Sequence, residues 1–270
     1  MKITLDKTLG KVLVLGGTGF VGRHVCEKLS RQNIHVTVPT RRRSNAQNVQ
    51  SLPMLDVLEV NIHDPVALAA LVAGHDAVVN LVAVLQAANL DLTILRPSVI
   101  FGADDKFLNL FAKLQSVFPV MPLAGAATKF QPVWVEDVAQ AVVNSLTTQS
   151  TSANAVIEAC GPDVLTLKEL VQLSAIAAGI NRGRGRPVLA LPPFLGKLQA
   201  MAMRLLTGEP LISQDNLDSM KVDNIASGKL PGLQTLGITP SALAAIVPTY
   251  LGNGSSLRQQ LAFRKTAGRF

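Results

Sequence analysis

One stretch near the N-terminus constrains the fold more than any other, because an apolar run leads directly into closely spaced glycines. Residues 12–15 read Val-Leu-Val-Leu, and the chain continues as Gly-Gly-Thr-Gly-Phe-Val-Gly at residues 16–22. An unbroken apolar run is typical of a parallel strand that is buried on both faces. Val21, Val25 and Leu29 then recur at helical spacing. The sequence therefore predicts a strand, a glycine turn and a helix in direct succession.

The glycines of this unit predict a dinucleotide-binding site. Gly16 permits a tight turn, Gly19 lets the backbone approach a pyrophosphate, and Gly22 lets the helix pack closely on the strand. The free N–H groups of Phe20 and Val21 at the helix start would face the negative charge of the ligand, which the helix dipole also favours. A purely structural turn is the alternative.

The end of the second predicted strand bears on the choice of cofactor. This strand covers residues 34–38 and is followed by Pro-Thr-Arg-Arg-Arg. In dinucleotide-binding folds an acid at this place bonds the ribose 2′-hydroxyl of NAD, whereas arginine accommodates the 2′-phosphate of NADP. No acid occurs between Glu27 and Asp56. Arg41 and Arg42 are therefore predicted to favour NADP(H) over NAD(H), with a solvated basic loop as the alternative.

Several segments together carry a resemblance to a known family. They are the glycine motif, Leu-Arg-Pro-Ser-Val-Ile-Phe-Gly at residues 95–102 and Pro-Val-Trp-Val-Glu-Asp-Val at residues 132–138. They resemble the extended and atypical short-chain dehydrogenases/reductases, the NAD-dependent epimerase/dehydratase-like proteins with a Rossmann fold. The stretch at residues 214–224 is most similar to the branch of the nucleotide-binding accessory subunit of respiratory complex I.

This resemblance implies further cofactor contacts. It places Asn61 and its neighbour Ile62 at the adenine, where the family carries an acid and where an amide can also donate and accept. It places Leu81 and Val82 under the ribose, and the backbone of residues 97–99 near the nicotinamide. The complete predicted set is Gly16, Thr18, Gly19, Phe20, Val21, Gly22, Arg41, Arg42, Asn61, Ile62, Leu81, Val82, Pro97, Ser98 and Val99.

The segment between the fourth predicted strand and the strand from Asp91 is shorter than in the resembled family. Only residues 83–90 separate the fourth predicted strand, residues 77–82, from the strand that begins at Asp91. Parallel strands need a crossover of about a dozen residues or more. The resemblance therefore implies that a block with a helix, a strand and a second helix is missing. We expect the strand from Asp91 to take the vacant place beside the fourth strand, with a hairpin as the alternative.

The missing block is where the family carries its catalytic Tyr-x-x-x-Lys pair. In that pair the lysine lowers the pKa of the tyrosine, which exchanges a proton with the substrate. The single tyrosine of this chain is Tyr250, and the residue four positions later is Gly254. The sequence thus identifies no catalytic residue, favours a packing role for Tyr250 and leaves enzymatic activity open.

The predicted architecture is α/β, with a Rossmann-type doubly wound parallel sheet of order 3-2-1-4, formed by strands that start near residues 56, 34, 11 and 77. It is shortened between strands 4 and 6 and carries a small, mostly helical C-terminal part. The expected divisions are an NAD(P)-binding domain at residues 8–162, a helical substrate or partner region at 163–252 and a basic tail at 253–270. Thr166 and Glu169 predict a capping box. A methionine-bearing amphipathic helix at 194–206 is expected to pack on the main domain, with a membrane surface or a partner protein as the alternative.

Composition limits the partners. The net charge of +7 would suit nucleic acid, but aromatic residues make up only 4% of the chain, which is too few for base stacking and argues against that partner. No apolar run is long enough to cross a bilayer, and a secretory signal would destroy the glycine motif. Cys26 and Cys160 have no partner at metal-ligand spacing, so reduced, buried thiols and no metal site are expected. The expected location is cytoplasmic, with a peripheral place at the inner face of the membrane as the alternative.

The sequence is compatible with three functions. The resemblance and the absent catalytic pair favour an NAD(P)(H)-binding protein, non-catalytic or weakly catalytic, linked to respiratory complex I or quinone metabolism. Its partner would be a respiratory-chain protein or a membrane surface. The second hypothesis is an NADP-dependent reductase, epimerase or dehydratase of a small carbonyl or nucleotide-sugar substrate. The third is an internally truncated, inactive family member.

Overall fold

The computed structural model describes residues 9–82, 91–147, 155–191 and 222–251. The helices are α1 (Phe20–Arg31), α2 (Pro65–Ala73), α3 (Leu108–Val117), α4 (Val135–Thr147), α5 (Leu167–Ala177) and α6 (Leu243–Leu251). The strands are β1 (Lys11–Leu15), β2 (His35–Thr40), β3 (Leu55–Glu59), β4 (Ala77–Asn80), β5 (Ile94–Pro97), β6 (Ile100–Phe101), β7 (Met121–Ala124), β8 (Lys129–Phe130), β9 (Val133–Trp134), β10 (Val156–Ala159), β11 (Leu165–Thr166) and β12 (Val188–Leu191). Short 3-10 helices lie at Arg43–Ala46 and Leu233–Leu236.

The chain divides into two compact units. The first consists of Met1–Arg96, Val135–Ile157 and Leu230–Thr239, and the second of Pro97–Trp134, Glu158–Lys229 and Pro240–Phe270. The domain boundaries expected at residues 162 and 252 remain a prediction.

A parallel sheet of order β3-β2-β1-β4 forms the centre of the first unit, which confirms the predicted order 3-2-1-4. Lys11 of β1 pairs with His35 of β2, and Val12 pairs with Ala77 of β4. Each connection between these strands holds a helix or a helical turn, as parallel pairing requires. The carboxyl ends of β1 to β4 therefore meet at one edge of the sheet.

One face of this sheet is buried beneath α1 and α4. Val12 and Val14 of β1 pack with Val25 of α1 and Val143 of α4 in a cluster of buried apolar side chains. The apolar positions of α1 recur at the spacing of one helix face, so the helix covers the strands with a continuous stripe. This packing fixes where α1 begins relative to the end of β1.

The helix α2 is apolar but exposed. This helix reads Pro-Val-Ala-Leu-Ala-Ala-Leu-Val-Ala, and none of its residues is buried. Val66 is 79% exposed. A helix that is apolar all round normally lies inside a protein. The described part of the chain therefore lacks the cover that such a helix usually has.

The predicted place of the strand from Asp91 is wrong. In the described residues β5 pairs with β10, and no strand pairs with β4 on the side away from β1. The backbone groups of this strand are satisfied by the strand near residues 155–159 instead, since the N–H of Ile94 donates to the carbonyl of Ala155 at 2.9 Å. The edge of β4 is therefore left without a neighbouring strand in the ranges described.

The second unit packs three helices around its own core. Leu108 and Phe111 of α3, Leu167 and Leu170 of α5 and Val247 of α6 belong to one buried cluster. β7 pairs parallel with β12, and β8 pairs antiparallel with β11. The structure also contains the predicted capping box at the start of α5. The helix predicted at 194–206, the stretch at 214–221 and the tail at 253–270 lie outside the described residues.

Both cysteines are free. Cys26 is buried, and burial raises the pKa of its thiol to about 12, so the thiolate is not formed at neutral pH. Cys160 is only half-buried, which corrects the expectation that both thiols are buried. Among the described helices, none is long and apolar enough to cross a membrane.

Candidate functional site

The glycine turn joins the carboxyl end of β1 to the start of α1. Gly16 has a φ of +83°, a left-handed conformation that favours glycine. A Cβ atom added to Gly22 would lie 2.1 Å from the carbonyl oxygen of Gly16 and 2.7 Å from the Cα of Gly17. Only glycine at position 22 therefore allows α1 to begin so close to the turn.

The first turn of α1 presents unpaired backbone N–H groups. The N-cap residue Gly19 has no side chain, and the first turn contains no acidic residue. The N–H groups of Phe20, Val21 and Gly22 donate to no group within the described residues. Unpaired N–H groups and the positive end of the helix dipole together suit an anion. The turn therefore fits the pyrophosphate of a dinucleotide.

The end of β4 lies directly beside the glycine turn. A Cβ atom on Gly16 would approach the Cγ2 of Val82 to 3.0 Å and the Cβ of Leu81 to 3.3 Å. The backbone N–H of Val82 donates to Asn80 Oδ1 at 3.1 Å, which holds the chain as it leaves the strand. The structure thus brings Gly16, Leu81 and Val82 together at the edge where ligands bind in sheets of this kind.

The basic residues follow the carboxyl end of β2, at the same edge. Arg41 and Arg42 are exposed, and their guanidinium groups form no ion pair within the described ranges. The backbone beneath them is held in place, because Thr40 Oγ1 donates to the carbonyl of Arg42 at 3.0 Å. The N–H of Arg43 donates to Glu59 Oε2 at 3.3 Å. The two guanidinium groups are therefore available to a phosphate.

Asn61 and Ile62 follow β3 at this edge. Asn61 is exposed and Ile62 is half-buried. The Oδ1 atom of Asn61 accepts the N–H of His63 at 3.1 Å. The acceptor of this amide is thus engaged in a local turn, whereas its NH2 group makes no hydrogen bond in the part of the chain that is described.

The last three predicted residues, Pro97, Ser98 and Val99, belong to the second unit. Ser98 is buried, and its hydroxyl donates to the carbonyl of Asn224 at 2.7 Å and accepts the N–H of Gln131 at 3.1 Å. Its backbone N–H donates to the carbonyl of Ala159 at 3.3 Å. The side chain of Ser98 therefore has a structural role in the second unit.

Tyr250 also has a structural partner. Its hydroxyl donates to Asp105 Oδ2 at 3.0 Å, and Asp105 is buried and accepts the N–H groups of Phe107 and Leu108 at the start of α3. Burial, together with the charge of Asp105, raises the pKa of the Tyr250 phenol. The tyrosine therefore stays protonated at neutral pH and ties α6 to α3, which supports the packing role predicted from the sequence.

Two residues that make polar contacts in the first unit, Asn48 and Glu136, were not predicted from the sequence. Asn48 Nδ2 donates to the carbonyl of Thr18 in the glycine turn at 3.2 Å. Glu136 of α4 meets two side chains of α1, with its Oε2 2.8 Å from Lys28 Nζ and its Oε1 2.5 Å from His24 Nδ1. These contacts join residues far apart in sequence. The only local signal for Asn48 was its place in the loop after the arginines.

A parallel sheet of order 3-2-1-4, with a glycine turn and an open helix N-terminus at its carboxyl edge, defines the Rossmann class of dinucleotide-binding folds. Residues 12–89 match the NAD dependent epimerase/dehydratase family. The match covers β1 to β4 and the glycine turn, so this part of the chain is similar to that family, and the resemblance predicted from the sequence is confirmed.

Proteins similar to this chain include subunits of mitochondrial NADH dehydrogenase. The chain is 30% identical to NADH dehydrogenase (ubiquinone) 1 alpha subcomplex subunit 9, mitochondrial, of Arabidopsis thaliana, over 65% of this chain and 43% of that protein. It is 22% identical to the NADH-ubiquinone oxidoreductase 40 kDa subunit, mitochondrial, of Neurospora crassa, over 88% of this chain and 78% of that protein. The chain thus spans about two fifths of the plant relative's length.

Solved structures show the same fold at low sequence identity. UDP-glucose 4-epimerase of Thermotoga maritima has a TM-score of 0.63 and 14% identity, over 93% of this chain and 99% of that chain. UDP-glucuronic acid 4-epimerase of Bacillus cereus, in complex with UDP-glucuronic acid and NAD, has a TM-score of 0.53 and 14% identity, over 79% and 98% of the two chains. At this identity the likeness concerns the fold alone.

Proposed function

We propose that the chain is an NADP(H)-binding accessory protein of respiratory, quinone-linked machinery and that it turns over its cofactor weakly or not at all. The observation that carries this proposal is the glycine turn, whose open N–H groups lie at the same sheet edge as Arg41 and Arg42. A bound NADP(H) would supply hydride chemistry. The residues of this chain would bind and orient it.

Preference for NADP(H) is supported by the charge at the end of β2. Arg41 and Arg42 are exposed without ion-pair partners in the described residues. Arginine forms bidentate hydrogen bonds to phosphate that are stronger than bonds between neutral groups. A 2′-phosphate would therefore gain contacts that a 2′-hydroxyl does not make.

Weak or absent turnover is supported by the sequence and by Tyr250. No Tyr-x-x-x-Lys pair occurs in the chain, and the phenol of Tyr250 donates to Asp105 at 3.0 Å. A group of raised pKa that is already bonded to a carboxylate is poorly suited to proton transfer near neutral pH.

An accessory role is supported by the relatives, which are subunits of mitochondrial NADH dehydrogenase. The proposed location is accordingly a membrane-associated respiratory assembly, rather than the free cytoplasm that composition alone favoured. Blue-native electrophoresis of solubilised membranes from the source cells tests this part. We expect the tagged chain to comigrate with NADH dehydrogenase activity, and migration only as a free protein would contradict it.

Calorimetric titration with NADPH and NADH tests the cofactor preference. We expect the wild-type protein to bind NADPH at least about tenfold more tightly, since a hydrogen bond to a charged group contributes about 1.5–3 kcal/mol. The double variant Arg41→Gln/Arg42→Gln should lose this preference. Arg182→Gln, which removes an exposed arginine of the second unit, is the control and should keep it. Equal affinities in the wild-type protein would contradict the preference.

A turnover assay separates the rival functions. We expect no multiple-turnover oxidation of NADPH with quinones or aldehydes and no interconversion of UDP-sugars. Sustained turnover of either kind would favour the reductase or epimerase hypothesis. Binding of neither cofactor together with a broad, non-cooperative melt would favour an internally truncated, inactive protein.

A further inference from the structure

We propose that Asn48 is a positioning residue of the dinucleotide site, which fixes the peptide between Thr18 and Gly19 and thereby keeps the glycine turn ready for an anion. The inference rests on the proposed function, because it concerns affinity for a dinucleotide. The predicted site residues do not include Asn48.

The peptide between Thr18 and Gly19 is held at both ends. Its carbonyl oxygen, on Thr18, accepts Asn48 Nδ2 at 3.2 Å, and its N–H, on Gly19, donates to the carbonyl of Gly16 at 3.0 Å. A peptide unit is planar, with its oxygen and hydrogen on opposite sides. The two hydrogen bonds therefore fix one orientation of the whole unit.

That orientation matters for anion binding. Glycine at position 19 tolerates many backbone conformations, so a rotated peptide would be sterically accessible there. Rotation would move the carbonyl of Thr18 away from Asn48, and its partial negative charge would then approach the N–H groups of Phe20 and Val21. An oxygen close to these donors would repel a pyrophosphate. Asn48 favours the orientation without this repulsion.

Asn48 is itself held by a small buried cluster. Ala46 and Val49, on either side of it, are fully buried and pack with Val57 of β3. The N–H of Val49 donates to the carbonyl of Ala46 at 3.0 Å, and so does that of Gln50 at 2.9 Å. These contacts form a helical turn whose backbone cannot move freely. The amide of Asn48 is thus a fixed donor, although it is exposed.

The same segment also carries the arginines. It begins at Arg41 and Arg42, where Thr40 and Glu59 hold the backbone, and it reaches the glycine turn through Asn48. The segment therefore connects the proposed 2′-phosphate contact with the proposed pyrophosphate contact. Loss of the Asn48 bond should weaken dinucleotide binding while the arginines stay in place.

The test compares Asn48→Leu, which removes the donor at similar size and without charge, with Asn48→Gln, which keeps an amide donor. Gln47→Leu is the matched control, since Gln47 is exposed and makes no hydrogen bond within the described residues. Calorimetry with NADPH should show affinity about threefold to tenfold lower in Asn48→Leu. Affinity should be largely restored in Asn48→Gln and unchanged in Gln47→Leu.

A second readout needs no cofactor. Hydrogen exchange of the unliganded protein should be faster at the Gly19 amide in Asn48→Leu, and the melting temperature should fall by no more than about 2–4 °C. Unchanged exchange or unchanged NADPH affinity in a folded Asn48→Leu, while the wild-type protein binds, would overturn this inference alone. Wild-type protein that binds neither NADPH nor NADH would overturn the proposed function, and this inference with it. If Asn48→Leu does not fold, Asn48→Ala gives the same comparison.

Discussion

The substitution Gly22→Ala tests the geometry on which the proposed site depends. The new Cβ atom would lie 2.1 Å from the carbonyl oxygen of Gly16, and the second neighbour is also backbone, the Cα of Gly17 at 2.7 Å. Neither atom belongs to a flexible side chain that could rotate away. The start of α1 would have to withdraw by about 1 Å, because Cβ atoms essentially never approach other heavy atoms closer than about 3.0 Å.

The magnitude follows from two opposing effects. Overpacking a well-packed region costs about 1–3 kcal/mol, and backbone partners favour the upper end of this range. Alanine in place of glycine within a helix offsets up to about 1 kcal/mol. We therefore expect the free energy of unfolding to fall by about 2 kcal/mol. A shift of this kind would also move the N–H groups of the first turn and weaken NADPH binding.

Urea denaturation of Gly22→Ala and Gly74→Ala measures this difference. Gly74 is the matched control, since it has a φ of −93° and an added Cβ would lie an ordinary 3.7 Å from the carbonyl of Leu71. Gly74→Ala should be neutral or stabilising by about 0.4–1 kcal/mol. Equal stabilities of Gly22→Ala and wild-type protein would refute the close approach of α1 to the turn.

Three further predictions concern single side chains outside the turn. Tyr250→Phe should lower the free energy of unfolding by about 0.5–1.5 kcal/mol at neutral pH. Because burial and Asp105 raise the pKa of this phenol, its contribution should be present below about pH 10 and should be lost progressively as the pH rises further. A decline of stability at alkaline pH that is as steep in Tyr250→Phe as in the wild-type protein would contradict this. Burial raises the pKa of Glu136, but Lys28 and His24 together lower it below its usual value. The stability lost between pH 7 and pH 3 should therefore be smaller in Glu136→Gln than in the wild-type protein. Denaturation curves that show the same loss in both proteins would argue against the ion pair. Val66→Lys should change the free energy of unfolding by no more than about 0.5 kcal/mol, because Val66 is 79% exposed, and a larger loss would show that α2 is covered.

The first four strands were predictable because their signals are local. Each is a short apolar or β-branched run, and the glycines mark the turn after the first one. The glycine turn then identifies a Rossmann-type sheet, whose strand order begins 3-2-1-4. The capping box at Thr166 and Glu169 was predictable for the same reason, since both residues lie within one helical turn.

The pairing of β5 was not predictable in this way. Its partner β10 lies far along the chain, and the sequence of β5 contains nothing that selects β10 over β4. The expectation was that the strand from Asp91 would fill the place beside β4 that the missing block leaves vacant. The short link at residues 83–90 indicated the conflict, but it did not reveal where the strand would go.

The candidate site likewise contains residues whose roles were predictable from local sequence and residues whose roles were not. Gly16 and Gly22 have the roles that their spacing predicts, because steric limits on a glycine turn are local. Ser98 has its hydroxyl engaged by Asn224 and Gln131, and Asn48 reaches Thr18 across some thirty residues. Such contacts depend on tertiary packing, so no short pattern in the sequence could have indicated them.

An NMR titration of 15N-labelled protein with NADPH tests directly whether the glycine turn binds the dinucleotide. The amide resonances of residues 19–22 should shift most in the first unit, together with those of Arg41 and Arg42, and they should saturate at one equivalent. Saturating NADPH that leaves the amides of residues 19–22 unchanged, or that shifts only distant residues, would contradict binding at the glycine turn.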